Sequence, residues 1–331
     1  MKRYPLVDIF KLLFAVGIVA IHCNLFLGTD AVSWYILHGV LRIGVPFFFC
    51  VSGFFLCKSL DRTKDADKNK KVLTYLKRIL IPFVVWILLD FYYFYRTRCV
   101  GLVGFVLIKY IVKNLIFYPW GAMWYLLALM VSVLILYPFY KKNKLRVIVG
   151  LGGILYLVGL LGNNYYFLIE GTKLQYGMEW YINHFLCTRN GIFEGLYFVG
   201  IGMLISRVEF KPKLWMLICS YGLFVVEIFL IKGRSYLDDH SLFISFLFFI
   251  PILVLYLTKF DEYYDTSKIR NYSSGIYFMH RFVLGYSTLI LSHYSIVLSN
   301  EIMFLITISI TTILLTIGYK SNNRFVLPCI R

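Results

Sequence analysis

Apolar runs of about twenty residues, separated by short polar breaks, recur along this chain from end to end. Ten are long enough to cross a bilayer at about 1.5 Å of rise per residue. Their bounds lie near 5–27, 34–57, 76–95, 121–139, 146–162, 188–206, 214–231, 240–258, 272–294 and 299–318. A further stretch, 101–118, is apolar but carries Lys109 and Lys113, and reads as an interfacial or re-entrant element. The pattern predicts an all-α, polytopic membrane protein with about ten transmembrane helices. It predicts a single domain over 1–331, with no internal repeat, low-complexity tract or soluble second domain.

Composition agrees with that pattern. Hydrophobic residues make up 60% of the chain and charged residues 15%, and mean hydropathy is +0.74, outside the range of a soluble domain. The net charge of +17 does not indicate nucleic acid, because the cations sit in short loops between apolar runs. Of the 34 Lys and Arg residues, 23 fall on the side of the two ends, from Lys2 and Arg3 through the 58–78 loop to Arg331. Eight fall in the opposite loops, and Lys11, Arg42 and Arg281 lie within spans. Positive loops mark the cytoplasmic face and contact anionic lipid headgroups, so both termini are expected there, in a multi-pass plasma-membrane protein. An eleventh span would set the two halves against this asymmetry. The N-terminal run is too long and too charged for a cleaved signal peptide. Seven cysteines without a CxxC pair read as buried small hydrophobes, and no metal site is expected.

Two loops stand out. The basic 58–78 segment reads either as a solvated topology signal or as a docking site for a phosphorylated cytosolic donor. The aromatic 163–187 segment suits an interface or the floor of a binding site.

Candidate chemistry begins in the first span, where Asp8, Lys11 and His22 share one helical face within roughly 60°. Ionisable groups at such depth mark a cavity or pathway, and a histidine is well suited to taking a proton near neutral pH. Arg42 in the second span is expected at a similar depth to His22, placed to stabilise a developing oxyanion. Pro46, Ser52 and Gly53 are expected to thin that helix. Arg189, Asn190 and Glu194 open the sixth span as an interfacial cluster or an acceptor-recognition site. His280 and Arg281 are expected in the inner third of the ninth span. Trp124 and Tyr125 read as interfacial aromatics or acceptor-side ligands. Asp90 and Glu227 are isolated acids without partners legible in the sequence, and none of the hydrolase, P-loop or dinucleotide fingerprints occurs.

The order of these motifs resembles the membrane-bound acyltransferase family 3. The resemblance rests on Asp8–x–x–Lys11 with His22, RIGVPFFFCVSGFF from Arg42, MWYLLALM at 123–130, TRNGIFEGLYFVGIGMLISR at 188–207 and YSSGIYFMHRFVL at 272–284. The RNGIFEG segment is especially similar to the membrane domain of vancomycin-resistance serine racemases. The resemblance implies transfer of an acyl group, commonly acetyl from acetyl-CoA, to a hydroxyl of an extracytoplasmic glycan or similar acceptor in the cell envelope. His22 then matches the family's catalytic histidine, Arg42 its partner, and Asp8 with Lys11 the polar pair at the cytoplasmic mouth. Lys77, Arg78, His280 and Arg281 line the expected donor path, and Trp124, Tyr125, Arg189, Asn190 and Glu194 the acceptor side. Acyl-CoA is a substrate in this scheme, and no permanently bound cofactor is expected. Met123 and Leu127 stand where relatives often carry His and Pro, and the donor-binding basic cluster is reduced to Lys77, Arg78 and Pro82. The rival expectation is a transporter of a small polar solute such as serine.

Overall fold

A computed structural model describes residues 4–28, 30–260, 265–324 and 326–330. Lys2, Arg3 and Arg331, counted above among the cytoplasmic-side cations, lie outside the described residues. The described chain is helical throughout and contains no strand. Each of the ten apolar runs forms a helix. The long ones are α1 (Pro5–His22), α3 (Gly44–Asp61), α4 (Asp65–Phe94), α6 (Trp124–Lys141), α7 (Leu145–Leu161), α10 (Leu214–Leu230), α12 (Ser267–His293) and α13 (Asn300–Ser321). Shorter ones are α2 (Ala31–His38), α5 (Gly104–Phe117), α8 (Lys173–Phe185), α9 (Leu196–Ile205), α11 (Phe246–Leu257) and α14 (Leu327–Ile330). Among the described residues, five helical stretches are long and apolar enough to cross a membrane: Pro5–His22, Ala31–Asp61, Asp65–Cys99, Trp124–Lys141 and Asn300–Ser321.

Three expectations change. The basic 58–78 segment is almost entirely helical, because α3 runs on to Asp61 and α4 begins at Asp65. Asp65 and Asp67 occupy the positive end of α4, and Lys68 pairs with Asp65 at 2.6 Å. The second span breaks at Gly39 and a 3-10 turn over Val40–Ile43, upstream of Pro46. Pro46 sits in the first turn of α3, where its missing N–H leaves no bond unmade. The aromatic 163–187 segment folds into a 3-10 turn and α8.

Two compact units emerge, one from 1–37, 77–124 and 262–331, the other from 38–76 and 125–261. In the first, α1 and α12 run parallel in fixed register. Thr266 Oγ1 donates to Asp8 Oδ2 at 2.6 Å, and fourteen residues further along each chain His22 meets His280. α4 follows the same direction, with Trp86 against Phe282 and Tyr286 OH donating to Leu89 O. α13 returns antiparallel, its start joined to Asn24 by Asn300 and its end to Asn271 by Tyr319.

In the second unit α3, α6 and α9 run parallel. Tyr125 and Tyr140 of α6 reach Ser52 and Asp61 of α3, and Arg207, just beyond α9, binds Asp61 at 2.6 Å. α3 and α9 pack backbone to backbone. A side chain on Gly53 would strike the Val199 carbonyl, and one on Gly202 would strike the Cys50 carbonyl. Such small-residue crossings hold membrane helices where lipid gives no hydrophobic drive. Gly53 therefore serves packing, and α3 is unbroken there. Glu227 of α10, an isolated acid in the sequence, accepts from Ile244 N at 2.6 Å, Ser245 N at 2.8 Å and Tyr165 OH. It caps the exposed amides at the start of α11, a role filled from a neighbouring helix.

Candidate active site

Within the first unit, the parallel register of α1 and α12 brings two histidines together. The rings of His22 and His280 stack with centroids 5.3 Å apart and an interplanar angle of 24°. His280 is fully buried, and its Nδ1 faces only carbonyls, Tyr277 O at 2.7 Å and Ile276 O at 3.1 Å. A carbonyl can only accept, so Nδ1 carries a hydrogen and the neutral ring presents its lone pair at Nε2. That Nε2 is buried with no partner among the described residues. The inner-third position expected for His280 is corrected. α12 begins at Ser267, earlier than its apolar run, so His280 is mid-helix and level with His22 at the end of α1.

A second orphaned group belongs to the same unit. Asp90 of α4 is 2% exposed, and neither carboxylate oxygen finds a partner among the described residues. Its carboxylate lies where a side chain on Gly121 would sit, and Gly121 adopts φ +66°. Only glycine accepts both that conformation and that neighbour. The adjoining turn is tied down on both sides. Trp120 Nε1 donates to Ile87 O at 3.0 Å, and Tyr277 OH donates to Ala122 O. Arg281 lies within electrostatic range of both Asp90 and His280. One unit thus assembles two stacked histidines, a buried acid and a cation. Burying an unsatisfied carboxylate or imidazole is costly, so such groups mark places where a ligand or reacting atom completes the bonding. Sequence reading singled out Asp90 but left it unassigned. The missing link was the turn at 119–123, which folds back onto α4.

At the other end of α1, Asp8 is buried, held by Thr266, with Lys11 Nζ 4.0 Å away. Lys77 and Arg78 are exposed on α4 in this unit. Trp124 stacks on Tyr118.

Arg42 belongs to the second unit, in a polar network that sequence reading only partly foresaw. Its Nη1 binds Asp239 Oδ2 at 2.9 Å, and Arg189 binds Asp238 through two bonds at 2.7 and 3.0 Å and Asp239 at 3.1 Å. Asn163 donates to Asp239 and accepts from Ser241 N and Leu242 N, while His240 pairs with Asn164. Burial opposes ionisation of Asp239. The guanidinium groups of Arg189 and Arg42, with hydrogen bonds from Ser241 and Asn163, outweigh it and hold the carboxyl well below the usual range. The adjacent pairs Asn163–Asn164 and Asp238–Asp239, polar residues between apolar runs, were the available signal.

Asn190 Oδ1 accepts from Ile192 N and Phe193 N and caps a π-helical turn over Gly191–Gly195. Glu194 on that turn is 2% exposed, and its Oε2 has no partner among the described residues. Tyr125 is buried against Phe49, and so is an interior residue of this unit.

Helical runs of membrane-spanning length, with a histidine and several acids buried among them, are those of a membrane protein with polar groups in its interior. The model of an acyltransferase domain matches residues 4–319, and the chain belongs to acyltransferase family 3. Among curated relatives, it is 25% identical to a serine/alanine racemase of Enterococcus gallinarum over 95% of this chain and 45% of that protein. An amino-acid racemase of Enterococcus faecalis is 24% identical over 93% of this chain and 45% of its own length. Another from the same species is 29% identical over 67% of this chain and 31% of its length. The chain therefore spans less than half the length of these relatives. No solved structure matches it.

Proposed function

We propose that this protein is a plasma-membrane O-acyltransferase that moves an acyl group, acetyl in the simplest case, from acyl-CoA to a hydroxyl on an extracytoplasmic glycan or a small acceptor. The stacked His22–His280 pair, with a buried Nε2 awaiting a partner, is the observation that carries this reading. In the transfer, the acceptor oxygen bonds to the acyl carbon and the thioester C–S bond breaks. The hydroxyl proton passes through the histidine pair to the departing thiolate. Arg281 is a cation within electrostatic range of His280, and we assign it the developing oxyanion. Arg42, expected there from sequence, is engaged by Asp239, and we assign it to holding the second network. Asp8, Lys11, Lys77 and Arg78 form the donor mouth in this scheme, with ten crossings and both termini cytoplasmic.

Purified protein incubated with acetyl-CoA tests the reading by thioester consumption and CoA-dependent thermal stabilisation. His22→Ala and His280→Ala are each expected to lower turnover by about 10²- to 10⁴-fold while CoA still stabilises the fold. Full turnover in either variant removes that histidine from the chemistry. The rival reading is a transporter of a small polar solute such as serine, which would use the same buried polar groups without covalent chemistry. Uptake of labelled serine into liposomes without any thioester, together with no CoA binding, would establish that alternative.

A further inference from the structure

The region from the end of α4 through α5 is unlike the rest of the first unit. No Asp or Glu occurs between Asp90 and Glu170, whereas Arg96, Arg98, Lys109 and Lys113 fall within eighteen consecutive positions. Arg96 and Arg98 stand exposed on a π-helical turn over Tyr95–Cys99, which ends α4 and leads into α5. The fourteen-residue α5 is about 21 Å long. It has no buried residue. Lys109 and Lys113, at i, i+4 spacing, define one side of it. Phe105, Ile108, Val112 and Ile116 occupy the adjoining face and stay exposed, Phe105 by 78%. The helix is attached through the Phe94–Tyr110 ring stack, with centroids 6.1 Å apart. Arg96, Arg98 and Lys109 have no carboxylate partner among the described residues.

A short helix with one apolar face, a cationic flank and no acid nearby meets the requirements for lying in the plane of a membrane interface. The apolar face explains why Phe105, Ile108, Val112 and Ile116 stay exposed while the opposite side of α5 is half-buried, and Arg96, Arg98 and Lys109 lack an anion among the described residues. We propose that residues 95–117 form a binding surface for acidic phospholipid headgroups, with α5 lying in the interface and Arg96, Arg98 and Lys109 engaging lipid phosphates. Each cation near an anionic surface strengthens association by about fivefold, so the three together separate acidic from zwitterionic lipid decisively.

Hydrogen exchange on the full chain in nanodiscs tests this. In nanodiscs containing phosphatidylglycerol, amides of 104–117 are expected to exchange at least about fivefold more slowly than in phosphatidylcholine alone. Adding inorganic phosphate to phosphatidylcholine discs should not reproduce the effect, which separates a lipid surface from a free-anion site. The triple variant R96Q/R98Q/K109Q should lose the difference while exchange in α1 and α12 stays as in the parent, showing an intact fold. Equal exchange in the two lipids, protection by free phosphate, or a triple variant that keeps the difference would each overturn the proposal.

Discussion

Two buried acids in this protein make opposite demands. Glu227 accepts three hydrogen bonds and caps α11, whereas Asp90 has none among the described residues. Replacing one oxygen of this fully bonded carboxylate with an amide NH2 sets a donor against one of the backbone N–H groups, so Glu227→Gln is expected to lower stability by about 1–3 kcal/mol. Asp90→Asn removes a desolvated carboxyl with no bonds to lose. Its unfolding temperature in detergent should equal or exceed the parent's while acyl transfer falls. A matched loss of stability in both variants would reject the distinction. Asp239 adds a pH dependence. Its carboxyl is depressed by Arg189 and Arg42, so its stabilisation is complete above the unfolded value near 3.9 and is lost as pH falls through the lower folded value. Asp239→Asn should therefore destabilise at neutral pH, and the gap to the parent should narrow as unfolding is followed below about pH 4. A gap independent of pH would show that the pairing contributes nothing through charge.

At the scale of elements, the backbone-to-backbone packing of α3 on α9 depends on two hydrogens. Gly53→Ala and Gly202→Ala each drive a methyl into a facing carbonyl, and are expected to cost about 1–3 kcal/mol or more as the α3–α9 pair is forced apart. Gly150→Ala on α7 meets nothing within 4 Å. It should be neutral or stabilising by up to about 1 kcal/mol, since alanine is the better helix former. Thermal unfolding of the three variants settles the comparison, and equal effects would refute close packing at α3–α9. The sequence made the helices plain, because twenty-residue apolar runs admit no other solution in lipid. It did not reveal that 58–78 is helical, because its polarity resembles a loop until the capping acids and the Asp65–Lys68 pair are weighed. The site was half legible. His22 announced itself by cost, but His280 beside it depends on the register between α1 and α12, separated by more than two hundred residues. Arg42's partner Asp239 lies almost as far along the chain, and no local pattern encodes such pairings.

Across the whole molecule, helix direction constrains how the chain threads the bilayer. α4 and α12 run parallel within the first unit, so an odd number of crossings must separate them. In the ten-span reading the apolar helices α6, α7, α9, α10 and α11 supply five. A full crossing by α5 makes the number even and reverses α12, which supports the ten-span reading and an α5 that stays at one face. Charge asymmetry points the same way, because the exposed cations around Lys70 and Lys142 sit at the opposite end of the threading from Arg234. Single cysteines in a Cys219→Ser/Cys329→Ser background test this, since the other five native thiols are buried. Val100→Cys, Lys113→Cys and Arg234→Cys are expected to react with a membrane-impermeant maleimide added outside intact cells. Lys70→Cys and Lys142→Cys should react only after permeabilisation. If Lys113→Cys instead groups with Lys70→Cys, α5 crosses the membrane, and the even count then contradicts the parallel α4–α12 pair.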